Sequence, residues 1–502
     1  MNDPGYFTIK DMLFDHNQDP DHHAIESPGL NPLTYRDLRA QILYVVKTLN
    51  AMGFHRNDRI AILSPAGPET AVIIISVMAG FTSVPMDPQN KTREYETCFP
   101  QLKIKAIIVQ KGYQTDATTA ATSQNLPVIE FKPVPGMAGK FLLEPSIVLD
   151  KKKAEFATSS DISHVFLTSG TTSGPKIVPV SQKQSFVLRQ RQIQTLHITS
   201  TDRCLHFLPY YHGMGIGLPL LGILLAGGTV ICTKDFIPSD FLTLLKTYRP
   251  TYYIAGPAHH QGILREIKKV QPDELKNNSL RFILSSSALL PAKVCDELEA
   301  LLGAAVIEHF ATSETGVISI NSPPKRGSVG IPVIEHLTIL DENGNSAGPY
   351  EQGEIVVKGE TVFSGYENAP GINNTVFFNG WFRTGDIGYI DDEGYLFLTG
   401  RKKELINKGG EKIAPAEIDA VLLTCPGVRE VMTFAVNDPV LGEDIAAMVV
   451  RTEARVTEQE LRTYLLDRIA PFKVPRRIHF VDAIPRNTAG KPLRFMGTER
   501  FS

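Results

Sequence analysis

Short runs of valine, isoleucine and leucine alternate with helical patterns along the first 320 residues, and this alternation limits the fold more than any other feature. The predicted strands cover residues 60–63, 106–109, 165–167, 229–232 and 280–284. Apolar strands that are separated by helices are typical of largely parallel sheets covered on both faces. The pattern therefore predicts an α/β fold with a large N-terminal region of stacked, mostly parallel sheets.

A helix is predicted between the residues Thr34 and Gly53. Thr34, with Asp37 three residues later, resembles a capping box. Apolar residues then recur at helical spacing, namely Leu38, Ile42, Val45, Leu49 and Met52, until Gly53 ends the pattern.

The pattern of predicted secondary structure changes at about residue 327. Residues 353–359 and 394–400 are short strands bounded by glycine, which indicates a small antiparallel, β-barrel-like subdomain. A charged stretch at 401–404 follows, and the remaining residues predict a helix at 416–423 and strands at 431–436, 445–450 and 478–481. We therefore expect an N-terminal domain over 1–400, a hinge at 401–404 and a small, mobile α+β domain over 405–502.

Composition excludes several classes of protein. The 502 residues are 42% hydrophobic and 21% charged, so the chain is neither disordered nor fibrous. Fifty-one basic and 54 acidic residues give a net charge of −3, so no excess of positive charge indicates binding to nucleic acid or an anionic membrane. Residues 214–232 are apolar but broken by glycines and Pro219, which favours a buried helix and strand over a membrane span. Five cysteines without a CxxC pair favour a reduced compartment, and the expected location is the cytoplasm.

The segment LTSGTTSGPK at 167–176 is the strongest local signal for chemistry. Small residues let backbone N–H groups approach an anion, hydroxyls add donors, and Lys176 adds a positive charge. It is not the Walker pattern, and a serine- and threonine-rich surface loop is the other interpretation that composition allows. The residues of this candidate phosphate loop are Thr168, Ser169, Gly170, Thr171, Thr172 and Lys176.

Seven segments in order resemble the acyl-adenylate-forming superfamily, which includes acyl-CoA synthetases, adenylation domains of peptide synthetases and luciferases. Besides the phosphate loop they are LPYYHG at 208–213, SSSALLP at 285–291, FATSE at 310–314, WFRTGD at 381–386, GRKKELINKGGEKIAP at 400–415 and PRNTAGK at 485–491. The loop is a variant, because Ser173 and Ile177 stand where glycines are usual. The residues at 403–412 and the three consecutive serines at 285–287 most resemble the oxalyl-CoA synthetase branch of this superfamily.

The resemblance implies which residues would serve ATP. Lys491, His212, Thr171 and Glu314 would be catalytic, and Glu314 would also hold Mg²⁺ on the phosphates. The remaining contacts to ATP or AMP would come from the phosphate loop and from Ser286, Ser287, Ala288, His309, Phe310, Ala311, Thr312, Ser313, Asp386 and Arg401. Within this set Phe310 would stack on adenine, and Asp386 would accept both ribose hydroxyls.

The resemblance also implies an acyl pocket and a moving domain. His212, Met214, His309 and Ile318 would surround the acid, Lys403 would be the hinge residue, and Gly409, Gly410 and Lys412 would lie on the thiol side. One domain orientation would bring Lys491 to the site for adenylation, and the other would bring the Gly409–Gly410 face to guide a thiol.

The expected reaction is the ATP-dependent activation of a carboxylic acid, followed by transfer of the acyl group to CoA. No aspartate stands near residues 209–212 to pair an α-ammonium group, so an acid that is not an amino acid is favoured. The bulk of His309 at the pocket wall suggests a small or short acid. Two alternatives stay open, namely a loading domain that serves the phosphopantetheine arm of a carrier protein, and a nucleotide-binding regulator without catalysis.

Overall fold

The structure is a computed structural model that describes residues 7–14, 18–144, 153–168, 176–452, 456–486 and 492–501. Its α-helices are α1 Ile9–Phe14, α2 Tyr35–Ala51, α3 Pro68–Gly80, α4 Thr92–Gln101, α5 Asp116–Ser123, α6 Gln182–Leu196, α7 Gly213–Ile216, α8 Ile223–Leu225, α9 Phe241–Tyr248, α10 Pro257–Ile267, α11 Ala292–Leu302, α12 Pro370–Val376, α13 Pro415–Leu423, α14 Glu458–Leu466 and α15 Arg494–Phe501.

The helix predicted after Thr34 is present as α2. The Thr34 side chain accepts a hydrogen bond from the backbone N–H of Asp37, and the helix ends one residue before the cap at Met52. Gly53 follows with a φ of 93°, a left-handed conformation that glycine adopts without steric cost. The sequence thus defined both ends of this helix.

Two large sheets form the first part of the chain. Their strands are β1 His23–Glu26, β2 Leu33–Thr34, β3 Arg59–Leu63, β4 Thr82–Pro85, β5 Ile104–Gln110, β6 Val128–Pro133, β7 Phe141–Glu144, β8 Ile162–Thr168, β9 Lys176–Ser181, β10 Arg203–His206, β11 Thr229–Cys232, β12 Tyr252–Ala255, β13 Phe282–Ser285, β14 Ala305–Thr312, β15 Gly316–Ile320 and β16 Ile331–Pro332. The seven-stranded sheet has the order β7-β6-β5-β3-β4-β8-β9, and the nine-stranded sheet has the order β16-β15-β14-β13-β12-β10-β11-β1-β2.

Parallel pairing dominates the centre of both sheets, while antiparallel pairs lie at their edges. The predicted α/β fold is confirmed. The helix α3 is buried along its whole length, as expected for a helix that is apolar on every side.

A smaller antiparallel sheet follows the two large ones. Its strands are β17 His336–Leu340, β18 Gly353–Lys358, β19 Phe377–Phe378, β20 Trp381–Ile390 and β21 Leu396–Arg401. Both glycine-bounded strands of the sequence analysis, β18 and β21, belong to it and pair with β20.

The last part of the chain builds a separate mixed sheet. It contains β22 Ile406–Lys408, β23 Glu411–Ile413, β24 Val428–Asp438, β25 Gly442–Arg451 and β26 Arg477–Phe480. Two apolar clusters, made only of residues from Ile406 onward, pack on this sheet with α13, α14 and α15. The boundary at 401–404 itself stays a prediction.

The apolar stretch at 214–232 is a helical run that leads into β11, as expected. Between α7 and α8 the run contains a π-helical segment, Gly217–Gly222, in which every residue is buried. No helix among the described residues is both long and apolar enough to cross a membrane. The five cysteines are buried free thiols.

Candidate active site

The candidate phosphate loop joins β8 to β9, which pair antiparallel. Thr168 is the last residue of β8, and it lies opposite Lys176, the first residue of β9. The predicted residues Ser169, Gly170, Thr171 and Thr172 lie outside the described residues. The hairpin nevertheless fixes where the loop begins and ends.

Lys176 contacts an aromatic ring that the sequence analysis missed. Its Nζ lies 4.5 Å from the centroid of the Tyr366 ring, a cation–π distance. Burial lowers the pKa of Lys176, and the nearby charge of Lys403 lowers it further. Two cations that approach each other in this way indicate a place where a polyanion would be stabilised.

Tyr366 also connects Lys176 to Glu314. The Tyr366 hydroxyl donates a 2.7 Å hydrogen bond to Oε1 of Glu314, and burial raises the tyrosine pKa, so the hydroxyl keeps its proton. The backbone N–H of Phe363 donates to the carbonyl of Glu314 at 2.8 Å. These contacts define a Lys176–Tyr366–Glu314 cluster. The sequence offers little to predict the role of Tyr366 beyond an aromatic residue that follows Gly365.

Strand β14 places His309 and Phe310 in two different environments. His309, Ala311 and Thr312 line a cavity together with Ser313 and Glu314 beyond the strand. Phe310 is 7% exposed and packs in the main apolar core, on the opposite face of the strand from His309. The register shifts between Phe310 and Ala311, so simple alternation ends there. The stacking of Phe310 on adenine stays a prediction.

The serine turn after β13 lies beside the same cavity. Ser286 and Ser287 line it, and Ser287 has a left-handed φ of 74°. The Ser287 hydroxyl lies 3.6 Å from Sδ of Met214, another predicted pocket residue. Ala288 is exposed on the turn and does not line the cavity.

The cavity has a volume of about 250 Å³ and joins two predicted regions. Its lining contains the predicted acyl-side residues His212, Met214 and His309 together with the predicted nucleotide-side residues Ser286, Ser287 and Thr312 through Glu314. Ile318 was expected in the acyl wall, but it is fully buried in the core, and Val317 lines the cavity instead. The reason is again strand alternation, because neighbouring residues of β15 face opposite sides.

Burial favours the neutral form of the histidines in this cavity. Burial lowers the pKa of His309 to about 4, and the charge of Arg189 contributes. Burial also lowers the pKa of His212. Arg189 and His164 line the same cavity and were not predicted, because only the packing of α6 and β8 turns them inward.

The candidate ribose site is an ion pair in the small antiparallel sheet. Asp386 on β20 and Arg401 on β21 are register partners, and Nε of Arg401 lies 2.8 Å from Oδ1 of Asp386. Asp386 is only 4% exposed, whereas the Arg401 side chain is 45% exposed. The pair brings together two residues that are fifteen positions apart in the sequence.

The predicted hinge and thiol-side residues lie on the surface. Lys403 is exposed and directly follows the ribose-site segment. Gly409 and Gly410 form the turn between β22 and β23 with φ values of 61° and 99°, and Lys412 pairs with Glu342. Lys491 lies outside the described residues.

A larger and more open cleft of about 560 Å³ lies elsewhere, between the end of β11 and α9. It is lined by residues such as Thr233, Phe236 and Tyr248. None of the predicted site residues that the structure describes lines it, so the smaller cavity is the candidate active site.

Comparison with known families agrees with the site. Residues 14–367 match the AMP-binding enzyme family, and residues 417–491 match the AMP-binding enzyme C-terminal domain. The first match alone covers more than half of the chain. The chain belongs to the AMP-binding enzyme family. The predicted membership of the acyl-adenylate-forming superfamily is confirmed.

Individual members of the AMP-binding enzyme family resemble the chain over most or all of its length. Oxalate–CoA ligase of Arabidopsis thaliana is 34% identical over 499 residues, which cover 96% of each protein. Sulfoacetate–CoA ligase of Cupriavidus necator is 36% identical over 335 residues, 65% of each protein. The crystal structure of ATP-bound MatB from Rhodopseudomonas palustris is 27% identical, with a TM-score of 0.87 and 98% coverage of both chains.

These relatives confirm the predicted type of enzyme. This member of the AMP-binding enzyme family is an AMP-forming ligase that activates a carboxylic acid as an acyl-adenylate and transfers the acyl group to CoA. ATP and CoA are therefore its co-substrates.

Proposed function

We propose that the substrate of this ligase is a small carboxylic acid, and that the acceptor is free CoA rather than a carrier protein. The observation that carries the proposal is the continuity of the 250 Å³ cavity. Its lining includes both the candidate acyl-wall residues His212 and His309 and the candidate nucleotide-side residues Ser286 and Glu314. An acid in such a cavity would have its carboxylate beside the α-phosphate.

The dimensions of the cavity favour a small acid. Ligand pockets commonly have volumes of about 300–1,000 Å³, whereas this cavity has about 250 Å³ and also contains part of the nucleotide side. Half-buried His309 lies in the wall, where its imidazole takes up space that a smaller residue would leave open. The relatives that are named for oxalate and sulfoacetate act on acids of that size.

Magnesium fits the donor groups on the nucleotide side. The Glu314 carboxylate is a hard oxygen ligand, and the hydroxyl-bearing residues Thr312 and Ser313 precede it in the same cavity lining. A single carboxylate is sufficient, because Mg²⁺ retains waters and binds phosphate oxygens. The bound ion would neutralise charge on the phosphates. Tyr366 would hold the carboxylate in place through its 2.7 Å hydrogen bond.

The residues suit a displacement at phosphorus followed by acyl transfer. A carboxylate oxygen of the acid attacks the α-phosphorus and pyrophosphate leaves; the sulfur of CoA then attacks the acyl carbon and AMP leaves. Neither step needs a protein nucleophile, so positioning and electrostatic stabilisation supply the catalysis. Lys176 would neutralise phosphate charge, Asp386 would accept the ribose hydroxyls, and Lys491 would stabilise the charge that develops in the first step.

We also propose that Lys403 is the hinge between two working orientations of the C-terminal part. The Gly409–Gly410 turn would line the thiol path in the second orientation. The positive φ values of this turn and its exposure support a role in which backbone approaches a flexible thiol arm. CoA is favoured over a carrier protein because the full-length relatives are named as CoA ligases.

Acid-dependent exchange of pyrophosphate into ATP, followed by thioester formation, tests the proposal. We expect exchange with acids of two to four carbons, and little with long-chain acids. CoA should then yield a thioester faster than a phosphopantetheinylated carrier protein at equal concentration. Preference for long acids, or for the carrier protein, would contradict the respective half of the proposal.

A further inference from the structure

Arg189 of α6 lies at the wall of the active-site cavity and lacks an anionic partner. Its Nη1 donates a 2.7 Å hydrogen bond to the side-chain oxygen of buried Gln192. Its Nε is buried and has no hydrogen-bond partner in the part of the chain that the structure describes. Among the described residues, no carboxylate lies within ion-pair distance of this guanidinium, whereas Arg203, Arg281, Arg401 and Arg494 each contact one.

An arginine in this position is costly to the folded protein. Burial lowers the pKa of Arg189 to about 9, so the group stays cationic at neutral pH. A largely desolvated charge without a counterion and with an unused N–H loses solvation that nothing among the described residues replaces. Such a cost is typical of functional sites, where the missing partner is a ligand.

The groups that act on Arg189 among the described residues do not pair its charge, and the Glu314 carboxylate of the same cavity forms no ion pair with it. Two neighbouring histidines, His164 and His309, have pKa values lowered to about 3 and about 4 by burial, and in both cases the charge of Arg189 contributes. Nδ1 of His309 is buried and also lacks a hydrogen-bond partner among the described residues. Phe166, Leu188 and Val317 supply apolar wall next to it. This part of the cavity therefore combines one fixed positive charge and one unused imidazole nitrogen with apolar side chains, a setting in which charge-assisted hydrogen bonds are strong.

The fold holds the guanidinium against the π-helical segment. A Cβ atom added to Gly217 would overlap Nη1 of Arg189. The backbone can approach the guanidinium this closely only because residue 217 is glycine. Gln192 on one side and Gly217 on the other thus fix the orientation of the Arg189 guanidinium.

We propose that Arg189 binds a second anionic group of the substrate, a carboxylate or a sulfonate at the end of the acid opposite the carboxyl group that is activated. This inference rests on the proposed function, because it places the acid in the same cavity. The planar guanidinium would offer Nε and Nη groups to two oxygens of the anion, and His309 would offer its unused nitrogen nearby. The bound anion would orient the other carboxylate toward Ser286 and Glu314, where ATP is expected.

Such a subsite would also reject simple fatty acids. A monocarboxylic acid of equal length would leave the Arg189 charge buried and unpaired while pressing a methyl group against it. A site that is built to bind a charged group discriminates strongly against analogues that lack it. Arg189 would therefore determine specificity as well as affinity.

Matched pairs of acids test the proposal in the exchange assay. The dianions oxalate, malonate and succinate are compared with acetate, propionate and butyrate, and sulfoacetate is added to separate sulfonate from carboxylate recognition. We expect the wild type to prefer at least one dianion over its monocarboxylate. In Arg189→Met, kcat/KM for that dianion should fall by about 10²–10³-fold, while the rate with the monocarboxylate of equal length should stay the same or rise.

Two further variants keep the test independent of folding. Gly217→Ala retains the charge but displaces the guanidinium, so it should also lower the preference for the dianion. Lys183→Met is the matched control, because Lys183 lies on the same helix and pairs with Glu360 at the exposed surface. It should keep the wild-type preference.

The results that would overturn the inference differ from those that would overturn the proposed function. A wild-type preference for monocarboxylates, or an equal loss for both members of a pair in Arg189→Met, refutes the subsite. Exchange with no acid at all refutes the proposed function. In that case, calorimetric titration of wild type and Arg189→Met with the dianions still decides the subsite, and equal or absent binding refutes it.

Discussion

Removal of the Tyr366 hydroxyl tests the link between Lys176 and Glu314. The hydroxyl donates to Oε1 of Glu314 at 2.7 Å, and Nζ of Lys176 lies 4.5 Å from the ring centroid. Tyr366→Phe removes the hydrogen bond but keeps the ring. A hydrogen bond to a charged group contributes about 1.5–3 kcal/mol, so kcat/KM for ATP should fall by about 10- to 100-fold.

Tyr366→Leu separates the contribution of the ring from that of the hydroxyl. Leucine removes the cation–π contact as well, which is worth a further loss of about 0.5–2 kcal/mol at a partly desolvated site. The expected order of activity is therefore wild type, then phenylalanine, then leucine. Tyr350→Phe is the control, because Tyr350 also donates to a carboxylate, that of Asp392, but is 59% exposed and far from the cavity lining.

The assay is pyrophosphate exchange at varied ATP and Mg²⁺, with thermal unfolding of each variant measured in parallel. Tyr366 is a positioning residue in this scheme. Since it orients Glu314, the Mg²⁺ concentration that gives half-maximal rate should rise in Tyr366→Phe. Wild-type kinetics in Tyr366→Phe, or an equal loss in Tyr350→Phe, would refute the reasoning. A lower Tm with unchanged Mg²⁺ dependence would reduce Tyr366 to a packing role.

Three further predictions concern other parts of the molecule. Lys491→Ala should reduce adenylate formation by at least about 10²-fold and spare thioester formation from a supplied acyl-adenylate, and equal loss of both half-reactions would contradict two working orientations. His164 and His309 have pKa values lowered to about 3 and about 4 in the folded protein. An unfolded histidine titrates near about 6.5, so the unfolded chain binds more protons below that pH; the calorimetric Tm should fall from pH 7 to pH 5, and a constant Tm would refute the assignment. Gly330→Ala should lower the free energy of unfolding in urea by about 1–3 kcal/mol more than Gly344→Ala does. Both glycines have positive φ, but only at Gly330 would a Cβ overlap the backbone at the end of β15. Equal losses in the two variants would show that the overlap is relieved without cost.

The sequence by itself determined the elements and the type of chemistry. Strands such as β11 were visible because their residues are apolar without interruption, and both ends of α2 were visible because Thr34 and Gly53 satisfy local backbone requirements. The small residues of the phosphate loop and the order of the motifs indicated adenylate formation, which the family comparison confirmed. These signals come from residues that lie close together in the sequence, so they can be recognised without the tertiary structure.

Only the tertiary structure decided which side chains share the cavity. Tyr366 and Glu314 are brought together by a loop that returns to the β14–β15 turn, and no local pattern records that return. Val317 lines the cavity wall where Ile318 was expected, and this depends on which face of β15 meets the core. Arg189 is the clearest case, because an arginine on a polar helix is expected in solvent. Its environment becomes visible only when α6 packs against the π-helical segment and closes the cavity around a charge without a counterion.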